Sequence, residues 1–204
     1  MIVEMRTYQL RPKTVSEFEG LVAKGLPGRA KFSPLGACWH TEVGELDQVI
    51  MMWPYDSHAH REQVLVDVRK DGAWPPPVQH LIENIQTKIL NPAPFCPPMT
   101  ARQLGGIYEI REYTYRVGAI PKVIERWAPR MAEREKYSPQ VGCWFTEIGP
   151  LNHWVHIWAY KDANEHQRIR AQAVKDGIWP PDTTEWLVKM TNMLTIPASF
   201  SPLR

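Results

Sequence analysis

Arginine, tyrosine and glutamate recur in two similar groups that could do chemistry: Arg6, Tyr8 and Glu42, then Arg111, Tyr113 and Glu147. An arginine fork beside a tyrosine can hold a carboxylate or enolate oxygen through paired N–H···O bonds. The competing reading is a buried network that tolerates its charges by pairing them. Duplication argues for the network, since an asymmetric ligand rarely needs two copies. His40 and His156 are the other candidates, and each is replaced at the equivalent position, by Phe145 and Met51. Either could serve as a general base or as an axial haem ligand. A duplicated domain often keeps one working site while the other decays into packing, so this asymmetry is the sharpest functional signal. The alternative is a histidine hydrogen-bonded within an aromatic core. Trp53 and Trp158 complete the candidate pocket. His58 and His60, at i and i+2 on a helix, point apart, so no metal site is expected. There is no glycine-rich phosphate loop, Ser/His/Asp order, Cys/His pair or CxxC spacing, and no cofactor is called for.

These residues sit in a chain that repeats itself. Arg6, Tyr8, Ser33, Cys38, Trp39, Thr41, Glu42, Trp53 and Tyr55 match Arg111, Tyr113, Ser138, Cys143, Trp144, Thr146, Glu147, Trp158 and Tyr160. Lys70-Asp71-Gly72 and Trp74-Pro75-Pro76 match Lys175-Asp176-Gly177 and Trp179-Pro180-Pro181, always 105 positions on (111 − 6, 177 − 72). Two copies are too few for a solenoid, and each is the size of a small domain. Residues 1–98 and 106–204 are therefore read as two repeats, with a proline-rich approach to a linker at 99–105.

Within the first repeat, alternation predicts strands over 2–11, 35–43 and 48–55, with a further strand in 82–90. Helical spacing of Phe18, Leu21, Val22 and Leu26 predicts a helix to residues 27–28 or a little beyond. A second helix starts at Asp56-Ser57 and stops at Gly72, before the two prolines. Trp74, which helix termination does not explain, is expected to cover a barrel end, with lining a pocket mouth as the alternative. The second repeat predicts the same order over 107–116, 121–134, 141–148, 153–160, 162–176 and 187–195. The fold class is α+β, two tandem ferredoxin-like βαββαβ repeats.

Such a unit covers one sheet face with helices and leaves the other bare. A turn at 44–47 pairs Glu42 with Val49, His40 with Met51 and Cys38 with Trp53. Strand parity then separates Ile50, Met52, Val3 and Met5 from Glu4, Arg6, Tyr8, His40, Glu42, Met51 and Trp53. The aliphatic set is assigned to the helices and the mixed set to the bare face. Two bare faces closing on each other would make an α/β barrel, with Arg6 or Arg111 meeting Glu42, Glu147, Glu4 or Glu109 inside. A small-molecule ligand is accordingly expected in the barrel interior.

Composition narrows the classes. Hydrophobic residues at 44% and charged residues at 23% are ordinary for a globular protein. A net charge of +2 without like-charge runs gives no footprint for nucleic acid. No apolar run nears the roughly 18 residues of a membrane span, so no membrane insertion is expected. The pattern already running at Arg6 leaves no room for a targeting peptide. Cys38 and Cys143, on equivalent strands, read as small buried hydrophobes of a reducing, cytoplasmic compartment. Association into a homo-oligomer is an open expectation.

The opening Glu4-Met5-Arg6-Thr7-Tyr8, the strand Val141-Gly142-Cys143-Trp144-Phe145-Thr146-Glu147-Ile148-Gly149, Trp53-Pro54-Tyr55-Asp56 with Trp158-Ala159-Tyr160-Lys161, and Pro92-Ala93-Pro94-Phe95 together resemble the NIPSNAP family. The resemblance spans both repeats. It implies a fold of the dimeric α/β barrel type and leaves the reaction unsettled. The readings it supports are a small-ligand or protein-interaction barrel, a cofactor-independent monooxygenase-like enzyme for aromatic or quinol-type substrates, and a haem binder.

Overall fold

The computed structural model describes all 204 residues. Uninterrupted alternation makes a strand of Ile2–Leu10 (β1), and Thr14 precedes the helix Val15–Ala30 (α1). The hairpin Ala37–Val43 (β2) and Gln48–Tyr55 (β3) follows, then the helix His58–Asp71 (α2) and the strand Ile82–Pro92 (β4). Ser57 caps α2 by accepting from the His60 N–H at 3.1 Å, and Gly72 ends it at φ 72°, a left-handed conformation that costs glycine nothing. The second repeat runs Ile107–Tyr115 (β5), Ile120–Glu135 (α3), Gln140–Ile148 (β6), His153–Tyr160 (β7), Ala163–Lys175 (α4) and Leu187–Pro197 (β8).

Each repeat orders its strands β4-β1-β3-β2 or β8-β5-β7-β6, and the two sheets join edge to edge. Strand β2 pairs with β8 and β4 with β6, all antiparallel, so the eight strands close into a barrel without a free edge. The cluster inside holds Val3, Met5, Trp39, Ile50, Met52, Tyr108, Ile110, Trp144, Val155 and Ile157, and no helix residue. Met99 and Leu203 close one end, where Arg102 bridges to Leu203 and the Trp39 indole donates to the Leu203 carbonyl at 3.1 Å. The other end is polar: Lys88 of β4 ion-pairs with Glu112 of β5, and His153 approaches the same carboxylate at 3.6 Å.

Two expectations need correction. The hairpin pairs Cys38 with Met51 and His40 with Val49, a slip of two residues that preserves parity. Thr41 accepts from the Gln48 N–H at 3.2 Å, and Gly44 (φ 128°) and Asp47 (φ 58°) shape a wider turn than the one expected. The second correction is larger, because the two sheet faces are exchanged. The aliphatic set lines the barrel, while Glu4, Arg6, Tyr8, Met51 and Trp53 face helices α1 and α2. Strands enclose the interior on every side, so an unpaired charge there would be very costly. Two helices cover the outer face only in part, and long side chains at its margin keep their heads near water.

Candidate functional site

Residues of β1, β3, α1 and α2 converge on a cavity of about 330 Å³ in the first repeat. Alternation turns Arg6 and Tyr8 of β1, and Met51, Trp53 and Tyr55 of β3, toward the helices. Phe18, Val22 and Arg29 share one face of α1, and Arg61, Leu65 and Val68 one face of α2. Trp74-Pro75-Pro76, Val78 and Ile85 complete the wall. Trp74 thus lines the pocket, the alternative role weighed for it, rather than covering a barrel end.

Its charge is unbalanced. Arg6, Arg29, Arg61 and Arg69 line the cavity and no carboxylate does. Behind them lies Glu4, fully buried, which accepts from Arg6 at 3.1 Å, from Arg61, and from the Tyr55 hydroxyl at 3.4 Å. Arg29 is buried without any carboxylate partner. It donates to Ser33 Oγ at 2.7 Å and Tyr55 Oη at 2.8 Å, and its guanidinium carbon lies 4.4 Å from the Trp53 ring centre. Burial pulls the Arg29 pKa down, although an arginine remains charged after any moderate shift. At Arg6 burial acts in the same direction, but Tyr8 and Glu4 outweigh it and the pKa rises. Burial pushes the Tyr8 phenol up, so it is neutral and can donate a hydrogen bond. The Nε atoms of Arg6 and Arg61 are buried with no hydrogen-bond partner in the protein.

The second repeat keeps this frame and fills the space. Glu109, the counterpart of Glu4, accepts from Arg111 at 2.7 Å, Arg170 at 3.1 Å and Asn192 at 3.3 Å, with His166 at 3.4 Å. Burial alone would raise its pKa; His166, Arg170 and Arg111 overcome that and hold it well below the usual carboxylate range. Trp127 stands where the first repeat has Val22, Trp154 where it has Val49, His156 where it has Met51, and Arg170 where it has Leu65. Trp127 packs against His156 and Trp179, with ring centres 4.7 Å from each.

Of the residues singled out in the sequence, Arg6, Tyr8 and Trp53 meet at the open pocket, and Arg111, Tyr113, His156 and Trp158 at its filled counterpart. None lies in the barrel interior. Of the carboxylates expected to meet the arginines, Glu4 and Glu109 do so, while the Arg6–Glu42 and Arg111–Glu147 pairs do not form and Glu42 and Glu147 are exposed near the ends of β2 and β6. His40 is separate from both sites, bonded to Glu19 of α1 at 2.8 Å. His156 is fully buried, accepts from the Trp158 indole N–H at 2.9 Å, and is kept neutral by burial. Sequence reasoning missed Arg29, Tyr55 and Arg61. Arg29 had a signal, since Arg134 repeats it 105 positions on, bonded to Ser138 and Tyr160 as Arg29 is to Ser33 and Tyr55. Arg61 had none, because His166 replaces it.

An eight-stranded barrel of two ferredoxin-like halves, with helices outside and a cationic pocket beneath one helix pair, defines the class: an α/β barrel built in tandem from one chain. The NIPSNAP family profile matches residues 3–97 and 108–202, and the chain belongs to that family. A NipSnap homolog from Dictyostelium discoideum is 28% identical over 94% of this chain and 84% of its own length. Human NipSnap homolog 3A is 29% identical over 98% and 85%. The barrel also superposes on a candidate monooxygenase from Lactobacillus acidophilus with a TM-score of 0.67, covering 97% of this chain and 94% of that one. At 9% identity that likeness speaks for the fold alone. No helix is long and apolar enough to cross a membrane.

Proposed function

We propose that this NIPSNAP barrel binds a small organic anion, an apolar body carrying a carboxylate, in the pocket between sheet and helices of the first repeat. The observation that carries the reading is the charge: four arginines line a mostly apolar cavity that no carboxylate lines. Its volume of about 330 Å³ lies at the lower end of the range for small-molecule sites. Arginine forks suit a carboxylate because both oxygens can be met at once. Neither His40 nor His156 lines the cavity, so the base proposed from sequence is not at hand, and binding is favoured over acid–base catalysis. The test is isothermal titration of octanoate and 1-naphthoate, each against its own amide. The carboxylates are expected to bind and the amides to bind at least about tenfold more weakly, the loss of one charge-assisted contact. If neither carboxylate binds, the reading fails.

A further inference from the structure

The second repeat shows what fits beneath the helix pair. Its Trp127 indole is 1% exposed and lies edge-on to Trp179, at 84° between the ring planes. Trp154 flanks it at 5.1 Å and at 66°. In the first repeat the counterparts of Trp158 and Trp179 are present, as Trp53 and Trp74, themselves edge-on with centres 5.8 Å apart. The indole is not: Val22 takes its place and lines the cavity. Phe18, which stands where the second repeat has Val123, fills only the side toward Tyr8, with ring centres 5.3 Å apart. Of the rings around Trp127, Trp154 and His156 give way to Val49 and Met51 in the first repeat, but the edge-on pair Trp158 and Trp179 persists as Trp53 and Trp74, and the aromatic occupant is supplied by the chain in one repeat only.

We propose that the ligand of the first repeat has a fused-ring aromatic body, seated where the Trp127 indole sits in the second, with its carboxylate directed to Arg6 and Arg61. This rests on the anion-binding reading above and narrows it to aryl or arylalkyl carboxylates. Ring edges and faces at Trp53 and Trp74 favour a planar partner over a flexible chain, because aromatic pairs gain from edge-to-face contact beyond the area they bury. The head is placed by the guanidinium groups of Arg6 and Arg61, which line the cavity in front of Glu4. An aliphatic carboxylate of similar size would satisfy the arginines and leave the aromatic frame unused.

The experiment is calorimetric titration of the full chain and of Val22→Trp with 1-naphthoate and with octanoate. Wild type is expected to bind naphthoate at least about tenfold more tightly than octanoate. Val22→Trp, which installs the second repeat's own occupant, is expected to lose naphthoate affinity at least about thirtyfold with its thermal midpoint retained. Equal or tighter octanoate binding overturns the aromatic assignment and leaves the anion pocket standing. Undiminished naphthoate binding to Val22→Trp also overturns it, by removing the ligand from that position. Failure of both carboxylates on wild type removes the pocket reading itself. Should Val22→Trp not fold, Val22→Phe fills the same corner with less bulk and is read by the same criteria.

Discussion

The Arg134 guanidinium carbon lies 4.1 Å from the centre of the Trp158 ring and 5.6 Å from that of Trp179, so a buried cation rests against a pair of indoles that are edge-on to each other. Arg29 reproduces the first contact, over Trp53 at 4.4 Å. In each repeat one α-helical arginine thereby joins helix to sheet, with a serine four residues on and a tyrosine from the third strand as its hydrogen-bond acceptors.

That arrangement needs a planar fork, which a lysine ammonium cannot supply. Arg134→Lys should therefore behave as a disruptive change although it keeps the charge. A single ammonium nitrogen must then serve both Ser138 and Tyr160, which two guanidinium nitrogens meet in the native protein, and the stacking is removed, a loss of about 2 kcal/mol. Urea unfolding followed by tryptophan fluorescence measures it. Wild-type stability in Arg134→Lys would mean that a point charge suffices and that the stacking is incidental.

Two glycines separate packing from propensity. Gly105 abuts β7 so closely that an added Cβ would meet the Tyr160 carbonyl oxygen at 2.3 Å. Gly105→Ala should cost about 1–3 kcal/mol or prevent folding, since backbone must move. Gly20 lies on the exposed face of α1, with nothing within 4 Å of the Cβ position. Gly20→Ala should instead stabilise by about 0.5–1 kcal/mol, by limiting the unfolded chain. For a chain of this length that is roughly 1–4 °C in thermal midpoint.

His156 makes stability depend on pH in a direction that can be worked out. Burial lowers its folded pKa well below the unfolded value of about 6.5, so below that pH the unfolded chain takes up a proton the folded one refuses. Its contribution is complete above pH 6.5 and is lost as pH falls, by up to about 1.4 kcal/mol per unit. His40 acts oppositely: its hydrogen bond to Glu19 raises the folded pKa, so its smaller, partly exposed contribution is present below pH 6.5 and fades as pH rises. His156→Met, which copies Met51 of the first repeat, should flatten the fall between pH 6.5 and 5.5 in denaturant titrations. An unchanged slope would place the proton uptake elsewhere.

How far the sequence could be read shows in the same residues. Strand alternation correctly grouped Glu4, Arg6, Tyr8, Met51 and Trp53 on one face and Val3, Met5, Ile50 and Met52 on the other. Parity is a local property, and it survived even a two-residue error in the hairpin. Which face closes on the other repeat is a tertiary property, and it was assigned in reverse. The aliphatic strand-three residues were placed under the helices, whereas an interior sealed by eight strands is the drier place and takes them first. The pocket itself was invisible for a related reason. Val22 and Trp127 can be aligned by eye, but whether a small residue leaves a cavity depends on whether Phe18, Leu65 and Trp74 collapse into it.

Removing the occupant from the second repeat should recreate a site there. Trp127→Ala deletes a fully enclosed indole among Trp154, His156 and Trp179, at a cost of about 3–5 kcal/mol for a large-to-small change whose walls relax only partly. A cavity walled by those rings is shaped to accept a small aromatic molecule. Indole at about ten times its dissociation constant should return roughly 1.4 kcal/mol, a rise of a few degrees in the thermal midpoint of the variant. Wild type serves as the control, because Trp127 occupies that position in its second repeat and its response reports binding elsewhere. A midpoint shift in Trp127→Ala no larger than in wild type would show that the walls collapse, and that the aromatic frame of the second repeat does not hold its shape without Trp127.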